Sequence, residues 1–162
     1  MIRRLNLLIP DSSVMMNKII SHKIDPQHYT ADVTIIWCFD DRFSELLDKL
    51  ARHNGWRWID LIKIAGGAKG LAMEGQSAEK NFLLNQIEKS ISLHHPDTIA
   101  LMVHTDCGAY GKSFNDAKSE ADFYTAELTK AEANLKTFLD SSGDAVSIKK
   151  YLADFEGIFE MQ

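Results

Sequence analysis

Two apolar runs, each ending in ligand-type side chains, constrain this 162-residue chain more than any other feature in it. Val33-Thr34-Ile35-Ile36-Trp37 leads into Cys38-Phe39-Asp40-Asp41-Arg42, and Ile99-Ala100-Leu101-Met102-Val103 leads into His104-Thr105-Asp106-Cys107-Gly108. Five apolar or β-branched residues without polar alternation predict a strand buried on both faces, as in a parallel sheet covered by helices. Open sheets of that kind build their sites at the C-terminal ends of strands. Both cysteines of the chain fall there. With His104 they make a Cys₂His set suited to zinc, with a fourth position left over.

The intervening sequence supplies the helices such a sheet needs. Ser44 to Asn54 predicts a helix with Leu46, Leu47 and Leu50 on one side, stopped at Gly55. Arg57 to Ile64 predicts a second strand, running into the glycine-rich Ala65-Gly66-Gly67-Ala68-Lys69-Gly70. Ser77 to His94 reads as a helix with Phe82, Leu83, Ile87 and Ile91 at helical spacing, and Pro96 separates it from the third strand. Ser119 to Asp140 carries Tyr124, Leu128, Ala131, Leu135, Phe138 and Leu139 on one stripe. Ala145 to Asp154 resumes a strand pattern, and Glu156-Gly157 turns into a last short strand through Met161. His94-His95 reads as a solvated helix terminus, where positive charge suits the dipole. Strands separated by helices of this length predict βαβ crossovers. The expectation is a single α/β domain over residues 32–162, a mostly parallel β-sheet with flanking helices. Residues 1–31 form an N-terminal arm, with a short helix capped by Asp11-Ser12-Ser13 and carrying Val14, Met15, Ile19 and Ile20.

Composition removes several classes of function. The net charge is −5, from 18 basic and 23 acidic residues spread evenly, so no basic stripe offers itself to nucleic acid. No apolar stretch approaches membrane-spanning length. Met1 to Pro10 is too short for a signal-peptide core, and a site that needs thiolates suits a reducing compartment; a cytoplasmic location is expected.

Asp40 and Arg42, two residues apart just beyond a strand, are spaced to form a carboxylate–guanidinium pair. Beside a metal, Asp40 would accept a hydrogen bond from bound water or take the fourth position itself. Arg42 would keep it ionised and oriented.

These residues carry a family resemblance. Cys-x-Asp-x-Arg, followed some sixty residues later by His-x-x-Cys-Gly, resembles the β-class carbonic anhydrases, and Ile62-Lys63-Ile64-Ala65-Gly66-Gly67 is similar to that family's Ile-Arg-Asn-Ala-Gly-Gly stretch. The similarity runs from about residue 30 to the end. It implies Cys38, His104 and Cys107 as ligands of one zinc per chain, with Asp40 and Arg42 as the catalytic dyad. It further implies reversible hydration of carbon dioxide to bicarbonate by zinc-bound hydroxide, and a homodimer or higher even oligomer. Phe39, Gly66, Gly67 and Gly108 are the candidates for the substrate pocket. Departures from the family pattern are Phe39 and Asp41 in the first motif, Lys63-Ile64 in the second stretch, and Ala109 after Cys107-Gly108. A reshaped, more apolar pocket would suit a related zinc hydrolase acting on carbonyl sulfide or carbon disulfide. A non-catalytic zinc-binding relative is the third reading.

Overall fold

In the computed structural model, which describes residues 17–162, the apolar runs form strands of one five-stranded sheet. The strands are β1 (Val33–Cys38), β2 (Ile59–Ile64), β3 (Thr98–His104), β4 (Ser147–Ala153) and β5 (Ile158–Met161), in the spatial order β2-β1-β3-β4-β5. The first four run parallel and β5 returns antiparallel to β4. Every residue of β1 and β3 is buried, as runs without polar alternation require.

The strand order decides where a site can lie. From β1 the chain first steps to β2 on one side, then crosses to β3 on the other. The reversal opens a crevice at the C-terminal ends of β1 and β3, the place where open α/β sheets bind ligands. Ile36 pairs with Leu101 across these two strands, and the same register carries Cys38 to within a residue of His104.

Among the described residues four α-helices, α1 (Ser44–Asn54), α2 (Lys69–Ala72), α3 (Ala78–His94) and α4 (Ala117–Ser142), complete the domain. Ser77 caps α3 by accepting the Lys80 N–H at 3.0 Å, and Asp116 caps α4 by accepting the Ser119 N–H at 2.8 Å. The stripe of α4 buries Tyr124, Leu128, Ala131, Leu135 and Leu139 as its spacing predicts. The four-residue α2 inside the glycine-rich stretch has no periodicity long enough to be read from sequence.

Phe82 lies off the buried stripe of α3, which is built on Leu83 and Ile87, and is 51% exposed, so of the two roles open to it, core or subunit contact, the core is excluded. Two expectations are corrected. Asn17 to Ile20 is not helical, and Ile19 and Ile20 are exposed; a helix so short needs tertiary packing to persist. The remainder of that expected helix, Asp11 to Met15, lies outside the described residues. His94 is no solvated terminus either. Its Nδ1 lies 2.8 Å from Asp60 Oδ2, and Asp60 also accepts the Ser90 hydroxyl at 2.5 Å and the Tyr29 hydroxyl at 2.7 Å. This knot ties the chain entering β1 to β2 and α3, at the end of the sheet away from the cysteines.

Candidate metal centre

Cys38 ends β1, His104 ends β3, and Cys107 lies on the loop after β3. Their ligand atoms lie within 4.8 Å of one another, and all three residues are buried. The orientation of His104 follows from its partners. Its Nδ1 sits 2.7 Å from the Thr105 carbonyl oxygen, an acceptor only, so that nitrogen carries the proton. The lone pair is therefore on Nε2, which is buried without a hydrogen-bond partner. The Phe43 ring stacks on the imidazole at 4.3 Å and holds its plane. A buried acceptor left without a partner is costly in an apolar interior. Here it faces two thiols, so the orphaned nitrogen and the donor set together fit a soft-to-borderline cation.

The two thiols differ. Cys38 is pulled well below the ordinary thiol range, first by a hydrogen bond from Cys107, against the opposing effect of burial, then by the His104 imidazole beside it, and further by the backbone N–H groups of Asp40 and Gly66. Cys107 is pushed up because it shares that proton with Cys38, and burial adds to the effect. Without a cation the pair keeps one proton between two sulfurs; a dication would favour both thiolates. Burial drives His104 down, but Cys38 and the Thr105 carbonyl outweigh it and the imidazole ends above its usual range. Tyr124 of α4 accepts the Cys107 N–H at 3.2 Å, which fixes the second cysteine to the helix.

Gly66 and Gly67 lie between these elements, both at positive φ, +77° and +56°. A Cβ on Gly67 would stand 2.2 Å from the Met102 carbonyl oxygen and 3.3 Å from the Cys38 nitrogen, so only glycine lets this turn lie against β3 and the end of β1. Gly67 thus packs behind the cysteine. Gly108 faces open space, with nothing within 4 Å of where its Cβ would be, and Phe39 is 62% exposed beside the cluster.

Asp40 and Arg42 meet as their spacing predicts. Arg42 donates from Nε and Nη2 to the Asp40 carboxylate at 3.0 and 2.6 Å, and the Arg42 backbone N–H adds a bond at 3.1 Å. The guanidinium holds the Asp40 carboxyl down at about 2. Asp40 Oδ2 is 3.9 Å from His104 Nε2, within reach of the cluster. The sequence reading assigned nothing to Asp106. It accepts Arg42 Nη1 at 2.9 Å, and its own N–H is held by Glu120 of α4 at 2.6 Å. Its position inside the His-x-x-Cys motif was the available signal, but the fold alone brings it to Arg42, 64 residues away.

A mostly parallel five-stranded sheet with two thiols and an imidazole at its switch point defines an α/β domain of the β-carbonic anhydrase type. The structure of the β-carbonic anhydrase CcaA aligns with a TM-score of 0.54 at 14% identity, covering 83% of this chain and 74% of that one. One of two tetrameric β-carbonic anhydrases from Sordaria macrospora aligns with a TM-score of 0.51 at 14% identity, covering 82% of this chain and 81% of its own. An uncharacterized protein of Rickettsia conorii is 23% identical over 171 residues, 99% of this chain and 90% of that protein.

The model of the family described as "Putative carbonic anhydrase" matches residues 29–141, and the chain belongs to that family as a divergent β-carbonic anhydrase relative. Among the described residues no helix is long and apolar enough to cross a membrane.

Proposed function

We propose that this protein is a zinc-dependent carbonic anhydrase catalysing the reversible hydration of carbon dioxide to bicarbonate, in the cytoplasm. One observation carries the reading: two buried thiols and an unpartnered imidazole nitrogen converge within 4.8 Å, with an arginine-held carboxylate at their edge. Cys38, His104 and Cys107 would hold one zinc per chain. Zinc in a three-ligand site of this kind supplies Lewis acidity that brings the ionisation of water toward neutral pH, so that hydroxide can add to the carbon of carbon dioxide.

The chain's own residues set the conditions for that chemistry. Two thiolates cancel the formal charge of the cation and weaken it as an acid, so an added hydrogen-bond acceptor matters. Asp40, held at about 2 by Arg42, is an acceptor only across the neutral range and orients an O–H toward its carboxylate. By pairing with both Asp40 oxygens, Arg42 competes with the metal for that carboxylate. Phe39 and Gly108 offer the open surface on which an uncharged linear substrate rests, while Gly66, buried with Lys69 and Ala109 within 3.3 Å of its Cβ position, and Gly67 support it from behind.

The test uses the purified protein. Metal analysis should find about one zinc per chain, lost in Cys107→Ser, and stopped-flow assay should find carbon dioxide hydration. Arg42→Ala should keep its zinc and lose the activity, because Asp40 is then free to close the fourth position. Carbonyl sulfide and carbon disulfide are assayed on the same preparation by sulfide release. Activity on those alone would reassign the substrate, and a metal-free, inactive protein would refute the reading.

A further inference from the structure

The Arg42 guanidinium lies between two carboxylates that belong to the two separate motif loops. Nε and Nη2 face Asp40, on the loop after β1. Nη1 donates to Asp106 Oδ2 at 2.9 Å, and Nη2 also reaches the Asp106 backbone oxygen at 3.3 Å, on the loop after β3. The bonds to Asp40 are local, since the two residues are separated by one position. Asp106 supplies the ties that fasten the guanidinium to the loop carrying His104 and Cys107.

Asp106 is itself held in an unusual state. It has φ of +54°, a left-handed conformation that costs a non-glycine residue of the order of 1 kcal/mol and that Asp tolerates better than most. The Glu120 carboxylate accepts its N–H at 2.6 Å and keeps the residue in that turn. Backbone strain of this kind persists where surrounding structure imposes it, and it gathers at functional sites.

We propose that Asp106 is a positioning residue: by anchoring the outer edge of Arg42 it keeps Asp40 paired with arginine and off the metal. The proposal rests on the zinc reading above. With Asp106 in place, the Asp40–Arg42 pair is braced against the far loop and Asp40 Oδ2 stays 3.9 Å from His104 Nε2. Without that carboxylate, Arg42 keeps only the 3.3 Å bond to the Asp106 backbone oxygen and its 5.5 Å stacking over the Phe155 ring beyond its own loop, and the pair shifts more readily until the carboxylate reaches the cation. The Arg42 and Asp106 side chains are 47% and 66% exposed, so the tie is of the weak, solvent-screened kind.

Binding of azide to the cobalt(II)-substituted protein, followed by visible absorption, tests this without relying on turnover. Azide must occupy the fourth metal position, for which Asp40 competes, so its apparent affinity reports how often that position is free. Asp106→Asn keeps an αL-tolerant residue and removes the charge. It should weaken azide binding about twofold to fivefold, the range an exposed pair can supply. Simple electrostatics gives the opposite sign, since deleting a nearby negative charge should strengthen anion binding. In an Asp40→Asn background, which removes the competitor, Asp106→Asn should no longer weaken azide binding. Unchanged or tighter azide binding in Asp106→Asn, or equal weakening in both backgrounds, overturns the proposal while leaving the metal reading intact. Failure of the parent to take up one cobalt per chain overturns both.

Discussion

Gly67→Ala is the substitution whose consequence can be worked furthest from the structure. The new Cβ would lie 2.2 Å from the Met102 carbonyl oxygen, whereas ordinary contact begins near 3.4 Å, so turn and strand must part by about 1.2 Å. The next residue fastens this turn to β3 through a backbone bond, Ala68 N–H to Met102 O at 2.9 Å. Parting by that amount breaks it and leaves buried groups unpaired, which costs about 1–3 kcal/mol. The φ of +56° adds about 1–2 kcal/mol for any L side chain, and the stiffer unfolded chain returns about 0.4–1 kcal/mol. The net loss is about 2–4 kcal/mol. At about 2–4 °C per kcal/mol for a chain of this size, Tm should fall by roughly 5–15 °C. Gly55→Ala is the control, because Gly55 has φ of +73° with nothing within 4 Å of its Cβ position. It carries the conformational strain without the clash and should cost only about 1 kcal/mol. Thermal unfolding of both variants decides the matter. Equal losses in the two would show that the contact with β3 contributes nothing and that the reasoning is wrong. Because Gly66 donates its N–H to Cys38, Gly67→Ala should also lower metal affinity, and Gly55→Ala should not.

Two further outcomes are expected. Burial raises the Asp60 carboxyl, but its bonds from Ser90, Tyr29 and His94 outweigh this and hold it below the ordinary carboxylate range. A depressed carboxyl contributes stability that is present above the unfolded value and lost as pH falls through the folded one. Asp60→Asn should therefore cost about 1.5–3 kcal/mol at neutral pH and flatten the decline below about pH 4, read from urea midpoints across pH. On assembly, we expect a homodimer or higher even oligomer, with exposed Phe39 and Phe155 near the site covered by a second copy; sedimentation velocity showing a monomer across a broad concentration range would refute it.

The sequence by itself determined the elements that carry the chemistry. Uninterrupted apolar runs before Cys38 and His104 can persist only as strands buried on both faces, and they are wholly buried here. The α4 stripe was equally legible, because twenty-six residues give a 3.6-residue period room to show itself. Cys38-x-Asp40-x-Arg42 announced its own ion pair, since partners two residues apart meet whatever the rest of the chain does. Only the tertiary structure decided the rest. The strand order puts the switch point between β1 and β3, and so brings two motifs some sixty residues apart to one cluster. Gly67 became obligatory because β3 passes within 2.2 Å of its missing Cβ, a clash no local pattern records. His94 found Asp60, and Arg42 found Asp106, across separations of 34 and 64 residues. A sequence displays local periodicity and spacing directly, whereas contacts across the sheet depend on how strands are ordered and on what their crossovers bring together.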